Sequence, residues 1–156
     1  MPVGQLSGHE AGRLLLKKIY EEKTGQPMPE ILIGERGKPY FAEGNLHFSI
    51  THTKRHAFCV LSEKPVGIDA EETDRQVDLR LAEKILSPGE KTQYDKATDK
   101  AAALLRFWVL KEAEGKMTGT GINGYPNKTE FLLDDPRVTE MNGCYVAVIQ
   151  EEENVI

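Results

Sequence analysis

Asn142 and Gly143 stand between two strand-like runs, Val138–Met141 and Cys144–Gln150, and commit the end of the chain to an antiparallel hairpin. Both central residues of a type I′ turn need positive φ, and Asn-Gly tolerates it best. A purely parallel sheet is thereby excluded, because its strands need crossovers of a dozen residues or more. Short runs rich in β-branched and aromatic residues, Ile31–Ile33 and residues 46–50, 57–61 and 66–70, read as further strands bounded by glycine, proline and charge. The tight turn around Glu63, Lys64 and Pro65 predicts that the last two pair as a second hairpin. A further strand is expected over residues 129–133.

Helical signals fall in separate blocks. Ser7 and Glu10 have capping-box spacing, so a helix is expected to begin near His9. Ala11, Leu14, Leu15 and Ile19 then share one helical face, and Gly25 is the stop. Leu79, Leu81, Ile85 and Leu86 mark a short amphipathic segment. Ser87, Pro88 and Glu90 spell a new helix start with proline in the first helical position. A longer helix is expected over residues 99–117, with Ala102, Leu105, Trp108 and Val109 apolar and Gly119 as its end. Antiparallel hairpins and helices in separate blocks give an α+β fold, and 156 residues suit one domain.

Charge and composition narrow the function classes. The net charge of −5, with acids and bases interleaved, argues against a general nucleic-acid binder, which would carry a basic stripe. No stretch approaches the ~18 apolar residues of a membrane span, and the first ten residues do not read as a signal peptide. A cytoplasmic protein is expected. Cys59 and Cys144 lack metal-like spacing and read as small buried hydrophobes.

Three segments carry candidate chemistry. In "VGIDAE", residues 66–71, the strand period of two places Asp69 and Glu71 on one face and Ile68 and Ala70 on the other. Neighbouring carboxylates repel unless a cation stands between them, and hard oxygen ligands suit magnesium. The plainer alternative is an acidic strand end running into solvent with Glu72 and Asp74. In "FWVLKEAEGKMTGTG", residues 107–121, Glu112 and Lys116 lie one helical turn apart. An exposed ion pair is the alternative there, but Trp108 precedes Glu112 by one turn and Gly119, Gly121 and Gly124 follow, the kind of segment that lets backbone approach a ligand. In "GKPYFAEGNLHFSITHT", residues 37–53, Lys38 sits beside a proline turn. His52, flanked by Thr51 and Thr53, has the groups to grip a phosphate or to serve as a hydrogen-bonded structural histidine.

Taken together, "GKP", "FSITHT", "VGIDAE" and "WVLKEAEGKMTGTG", in that order and with "KILSPGE" between the last two, resemble the 4′-phosphopantetheinyl transferase superfamily. The likeness is to its larger type, which activates peptide synthetases, polyketide synthases and fatty-acid carriers. The resemblance implies two pseudo-repeated halves of antiparallel strands packed with helices, the first over about residues 1–64 and the second over about 65–156. It implies a magnesium-dependent enzyme that moves phosphopantetheine from coenzyme A to a serine of an acyl or peptidyl carrier protein, releasing 3′,5′-ADP. Asp69, Glu71 and Glu112 match the magnesium ligands, with Glu112 also helping to deprotonate the serine. Lys116 matches the lysine beside the pyrophosphate. Thr51 and His52 match the 3′-phosphate contact, Gly37, Lys38 and Pro39 the adenine wall, and Arg13 a basic residue of the first helix.

The first helix is reached within ten residues, and no lysine or arginine precedes Arg13, where the larger type carries an additional basic segment. The resemblance therefore implies a shortened first half, for which either His52, Arg13 and Lys38 suffice, a second subunit of a homo-oligomer fills the gap, or coenzyme A binds weakly. It also leaves open a non-catalytic module that binds carrier protein or coenzyme A, with residues 79–94 as docking surface. An unrelated magnesium-dependent hydrolase is the remaining alternative.

Overall fold

The computed structural model describes residues 1–120 and 129–152. Helix α1, Gly8–Thr24, starts where expected: the Glu10 N–H donates to the Ser7 hydroxyl at 3.1 Å, and Gly25 ends the helix at φ 69°. Its buried face is rotated from the expected one. Ala11, Gly12, Leu16 and Tyr20 are buried, while Leu14 is 50% exposed. Gly12 is the reason. A Cβ there would lie 2.4 Å from the Ile50 side chain, so the helix rests on its glycine edge and turns Leu14 outward.

Beneath α1 lies an antiparallel pair, β3 (His47–His52) and β4 (Ala57–Ser62). The smaller pair of β1 (Ile31–Ile33) and β2 (Pro39–Phe41) packs at its side through Phe41. Tyr20, Phe41 and Phe48 join these elements, with ring centroids 5.0 and 4.5 Å apart. Strand β2 is absent from the expected set, because a three-residue run opened by proline reads as a turn.

Strand β5 (Val66–Glu72) does not form the expected hairpin with β4. It pairs over seven residues with β7 (Cys144–Gln150), which in turn pairs with β6 (Val138–Met141), in the order β5-β7-β6. Pro65 has no N–H to offer a β4 ladder. The Ser62 hydroxyl accepts the Lys64 N–H, and the long β7 satisfies β5 instead. The β6–β7 turn is as expected, with Asn142 at φ 52° and Gly143 at φ 73°.

A 3₁₀ turn at Leu79–Leu81 and the short α2 (Ala82–Ile85) lead to α3, Pro88–Lys96. Ser87 and Glu90 complete a capping box there, with Pro88 in the first turn. Helix α4, Lys100–Thr118, runs from an Asp99 cap to Gly119 at φ 80°. It lies across the β5-β7-β6 sheet and buries Leu104, Leu105, Phe107, Val109 and Leu110. Full burial of such a side chain is worth about 1.5–3 kcal/mol. The other face of β5 is covered too, by Phe58, Cys144 and Val146 around Ile68 and Ala70.

Residues 129–133 are irregular rather than a strand. Their backbone groups bond to side chains of α3: the Phe131 N–H to Glu90 Oε2 at 2.8 Å, the Leu133 N–H to Gln93 Oε1 at 2.8 Å, and Gln93 Nε2 to the Phe131 carbonyl at 3.1 Å. With those groups satisfied, no neighbouring ladder is required. Glu90 also takes the Lys111 ammonium at 2.8 Å, both side chains almost wholly buried. Cys59 and Cys144 are free thiols; Cys144 is buried as expected, whereas Cys59 is only partly buried, its desolvation pushing the thiol pKa up to about 12. No helix among the described residues is long and apolar enough to cross a membrane.

Candidate active site

The site is built where α4 crosses β5. Gly67 shares the strand face of Asp69 and Glu71, and a Cβ on it would lie 1.9 Å from the Ala113 carbonyl oxygen. Its bare backbone lets the helix descend until Lys116 Nζ reaches the Ile68 carbonyl at 3.0 Å and Asp69 Oδ1 at 3.1 Å. The acidic strand and the Glu–Lys helix, separate in sequence, therefore form one cluster.

The sheet below adds two hydroxyls. Thr51 Oγ1 donates to Asp69 Oδ1 at 3.3 Å, and Ser49 Oγ accepts the Ile68 N–H at 3.0 Å. These bonds cross from β3 to β5, which share no backbone ladder. Ser49 escaped sequence reasoning, although its spacing of two from Thr51 places both on one strand face.

Asp69 is buried, and its Oδ2 has no hydrogen-bond partner among the described residues. Burial pushes its carboxyl up to about 7; Lys116 opposes that rise, while Glu112 and Glu71 add to it. Glu112, half-buried, is raised by burial and by Glu71 against the pull of Lys116 and Arg75. Glu71 Oε1 meets Arg75 Nη1 at 2.5 Å. Arg75 was invisible in the sequence, because it lies past the strand in a turn where no periodicity assigns a direction.

Beside the cluster is a cavity of about 280 Å³, lined by residues 36–39 and 48–50 together with Glu112, Gly115, Lys116 and Gly119. Gly37, Lys38 and Pro39 are thus brought to Glu112 and Lys116. The Lys38 ammonium donates to the Met117 carbonyl at 2.7 Å, and burial lowers its pKa. Arg13 and His52 do not line this cavity. His52 is exposed against the start of α1, where a Cβ on Gly8 would meet its ring at 2.2 Å. Arg13 is partly exposed on α1. Trp108 packs against the main core instead of the cavity. Gly121 and Gly124 lie outside the described residues.

Among the described residues no group of three or more His, Cys, Asp or Glu side chains converges closely enough to enclose a metal ion. The donor chemistry nonetheless suits a hard cation. Asp69, Glu71 and Glu112 supply only oxygens, and the buried Asp69 Oδ2 is unpartnered. As arranged, the chain's own cations stand there, Lys116 on Asp69 and Arg75 on Glu71.

Comparison with known proteins gives this cluster a family. The 4′-phosphopantetheinyl transferase superfamily matches residues 65–150. The 4′-phosphopantetheinyl transferase psf-1 of Bacillus pumilus is 31% identical over 134 residues, which is 82% of this chain and 57% of that protein. The 4′-phosphopantetheinyl transferase gsp of Aneurinibacillus migulanus is 30% identical over 127 residues, 79% of this chain and 52% of the relative. The 4′-phosphopantetheinyl transferase AcpT of Escherichia coli K12 is 36% identical over 114 residues, 70% and 56% of the two chains. The chain spans about half the length of the curated relatives it matches. A family match over more than half of the chain, on an α+β fold with antiparallel sheets, establishes that the chain belongs to the 4′-phosphopantetheinyl transferase superfamily.

Proposed function

We propose that this chain transfers the 4′-phosphopantetheine group of coenzyme A to a serine hydroxyl of an acyl or peptidyl carrier protein and releases 3′,5′-ADP. The carrying observation is the buried Asp69, whose Oδ2 has no partner among the described residues, joined to Lys116, which with Glu112 lines the adjoining cavity. Residues 1–156 form one transferase domain, the first half over about 1–64 and the second over about 65–156. The family match over 65–150 supports that division.

Asp69, Glu71 and Glu112 would hold magnesium, and the ion when bound neutralises pyrophosphate oxygens as charge shifts to the leaving group. The protein's own part is positioning and proton transfer. Glu112, with a pKa raised by burial, accepts the serine proton. The serine oxygen bonds to the pantetheine-side phosphorus, and the bridge to 3′,5′-ADP breaks. Lys116 moves from Asp69 to the bridging oxygens and offsets their charge. Gly37, Lys38 and Pro39 wall the adenine, while His52 and Arg13, outside this cavity, serve the 3′-phosphate; Thr51, buried with its hydroxyl on Asp69, faces away from His52 and steadies the carboxylate instead.

Mass spectrometry of an acyl carrier protein incubated with this chain, coenzyme A and magnesium tests the assignment. A gain of one phosphopantetheine arm, abolished by EDTA and by Asp69→Ala in a folded variant, is expected. Calorimetric binding of the carrier protein with no gain in mass points instead to a binding module.

A further inference from the structure

Arg75 belongs to none of the motifs above, yet it stands inside the carboxylate cluster. It follows β5 in a turn closed by its own N–H donating to the Glu72 carbonyl at 3.0 Å. Its guanidinium meets Glu71 at 2.5 Å, and its charge reaches Glu112. Lys116 holds Asp69 in the same way at 3.1 Å. Two tethered cations therefore face three carboxylates. Lys116 has a part in the proposed transfer, whereas Arg75 has none. Arg75 is also the cation with somewhere to go. It is 47% exposed and borders two surface grooves, one past Arg55 and Asp74 and one past Asp78 and Lys84.

We propose that Arg75 is a built-in competitor for the divalent ion, neutralising Glu71 until an ion accompanied by an anionic ligand displaces it. The inference rests on the metal site of the proposed function. At about 6 Å and the dielectric of bulk water a guanidinium opposes an incoming divalent cation by roughly tenfold in affinity, and by more at the lower dielectric of a protein surface. A bare ion meets that opposition in full. An ion arriving with a pyrophosphate group brings negative charge that offsets it. Ion and pyrophosphate binding are thus coupled through Arg75.

Titration of the full chain with magnesium by calorimetry, and with manganese by electron spin resonance, tests this without any turnover. Each is run at low ionic strength, with and without inorganic pyrophosphate, on the native chain, Arg75→Gln, Arg75→Lys, Glu71→Gln and the Arg75→Gln/Glu71→Gln double variant, with circular dichroism reporting the fold. Arg75→Gln is expected to bind the bare ion at least about tenfold more tightly, with the gain shrinking in high salt. Arg75→Lys, which keeps the charge, stays near the native affinity. Pyrophosphate strengthens ion binding more in the native chain than in Arg75→Gln, and Arg75→Gln adds little once Glu71 is Gln. An Arg75→Gln affinity equal to or below the native one overturns the inference and makes Arg75 an orienting partner of Glu71. No binding signal from any variant, pyrophosphate included, overturns the carboxylate metal site itself and the inference with it.

Discussion

Replacing Asp69 by asparagine is expected to stabilise the fold at alkaline pH while removing the proposed transfer. Burial raises the Asp69 carboxyl from its ordinary 3.8 to about 7. At 1.36 kcal/mol per pKa unit, holding it ionised costs the fold about 4 kcal/mol. Because the folded-state value is the higher one, the folded chain keeps a proton that the unfolded chain has lost between 3.8 and about 7. Stability therefore falls as pH rises through that window and levels off above it. Asparagine is neutral throughout and keeps an oxygen for Thr51 and Lys116. Its amide N–H₂ replaces the partnerless Oδ2, and an unsatisfied buried donor costs about 1–3 kcal/mol. The net gain near pH 8 is thus about 1–3 kcal/mol, disappearing or reversing near pH 4. Urea unfolding followed by circular dichroism in EDTA, at about pH 4, 6 and 8, measures it. With a slope of about 1–3 kcal/mol per molar, the midpoint should rise by roughly 1 M at the alkaline end. A difference between the two proteins that is flat with pH, or a variant less stable than the native chain near pH 8, refutes the burial argument.

Three further outcomes follow from the same structure. Lys111→Met strands the Glu90 carboxylate in the core and is expected to cost about 3–5 kcal/mol in urea unfolding, whereas Lys17→Ala, which breaks an exposed pair with Glu21, leaves the unfolding midpoint essentially where it was. Gly67→Ala sets a methyl against the Ala113 carbonyl, lifting α4 from β5 at a cost of about 1–3 kcal/mol or more; thermal unfolding measures that, and carrier modification should fall as Lys116 leaves Asp69. Glu112→Gln keeps the shape but takes no proton, so single-turnover carrier modification should slow by about 10²–10⁴-fold, with the unfolding midpoint preserved.

Much of the site was legible because its pieces are local and periodic. Strand alternation placed Asp69 beside Glu71, and helical spacing placed Glu112 beside Lys116. Their meeting was not a local matter. It depends on Gly67 admitting α4 and on β5 choosing β7 over its sequence neighbour β4, and both contacts span long stretches of chain. Residues 129–133 looked like a strand because side-chain composition records burial, not the backbone's partner; Glu90 and Gln93 took that role. The face of α1 was misjudged for a related reason, since a pattern of leucines cannot show that Gly12 is where the helix touches the sheet. Caps and turns, whose geometry is set by two or three residues, were readable: Ser7, Ser87 and Asn142–Gly143 all act as their types dictate.

The two sheets that meet at Asp69 have separate ladders, joined there by the Thr51–Asp69 and Ser49–Ile68 bonds. Such a boundary is a natural place for partial opening, in which one part of the chain loosens while the other stays folded. The cavity is walled from both sides of it, by residues 36–39 and 48–50 on one and by α4 on the other. A molecule seated there acts as a staple between two folding units. Its binding should slow amide exchange at Ile68 and merge their unfolding into one cooperative event, so the sharpness of melting becomes a gauge of how fully the cleft is filled.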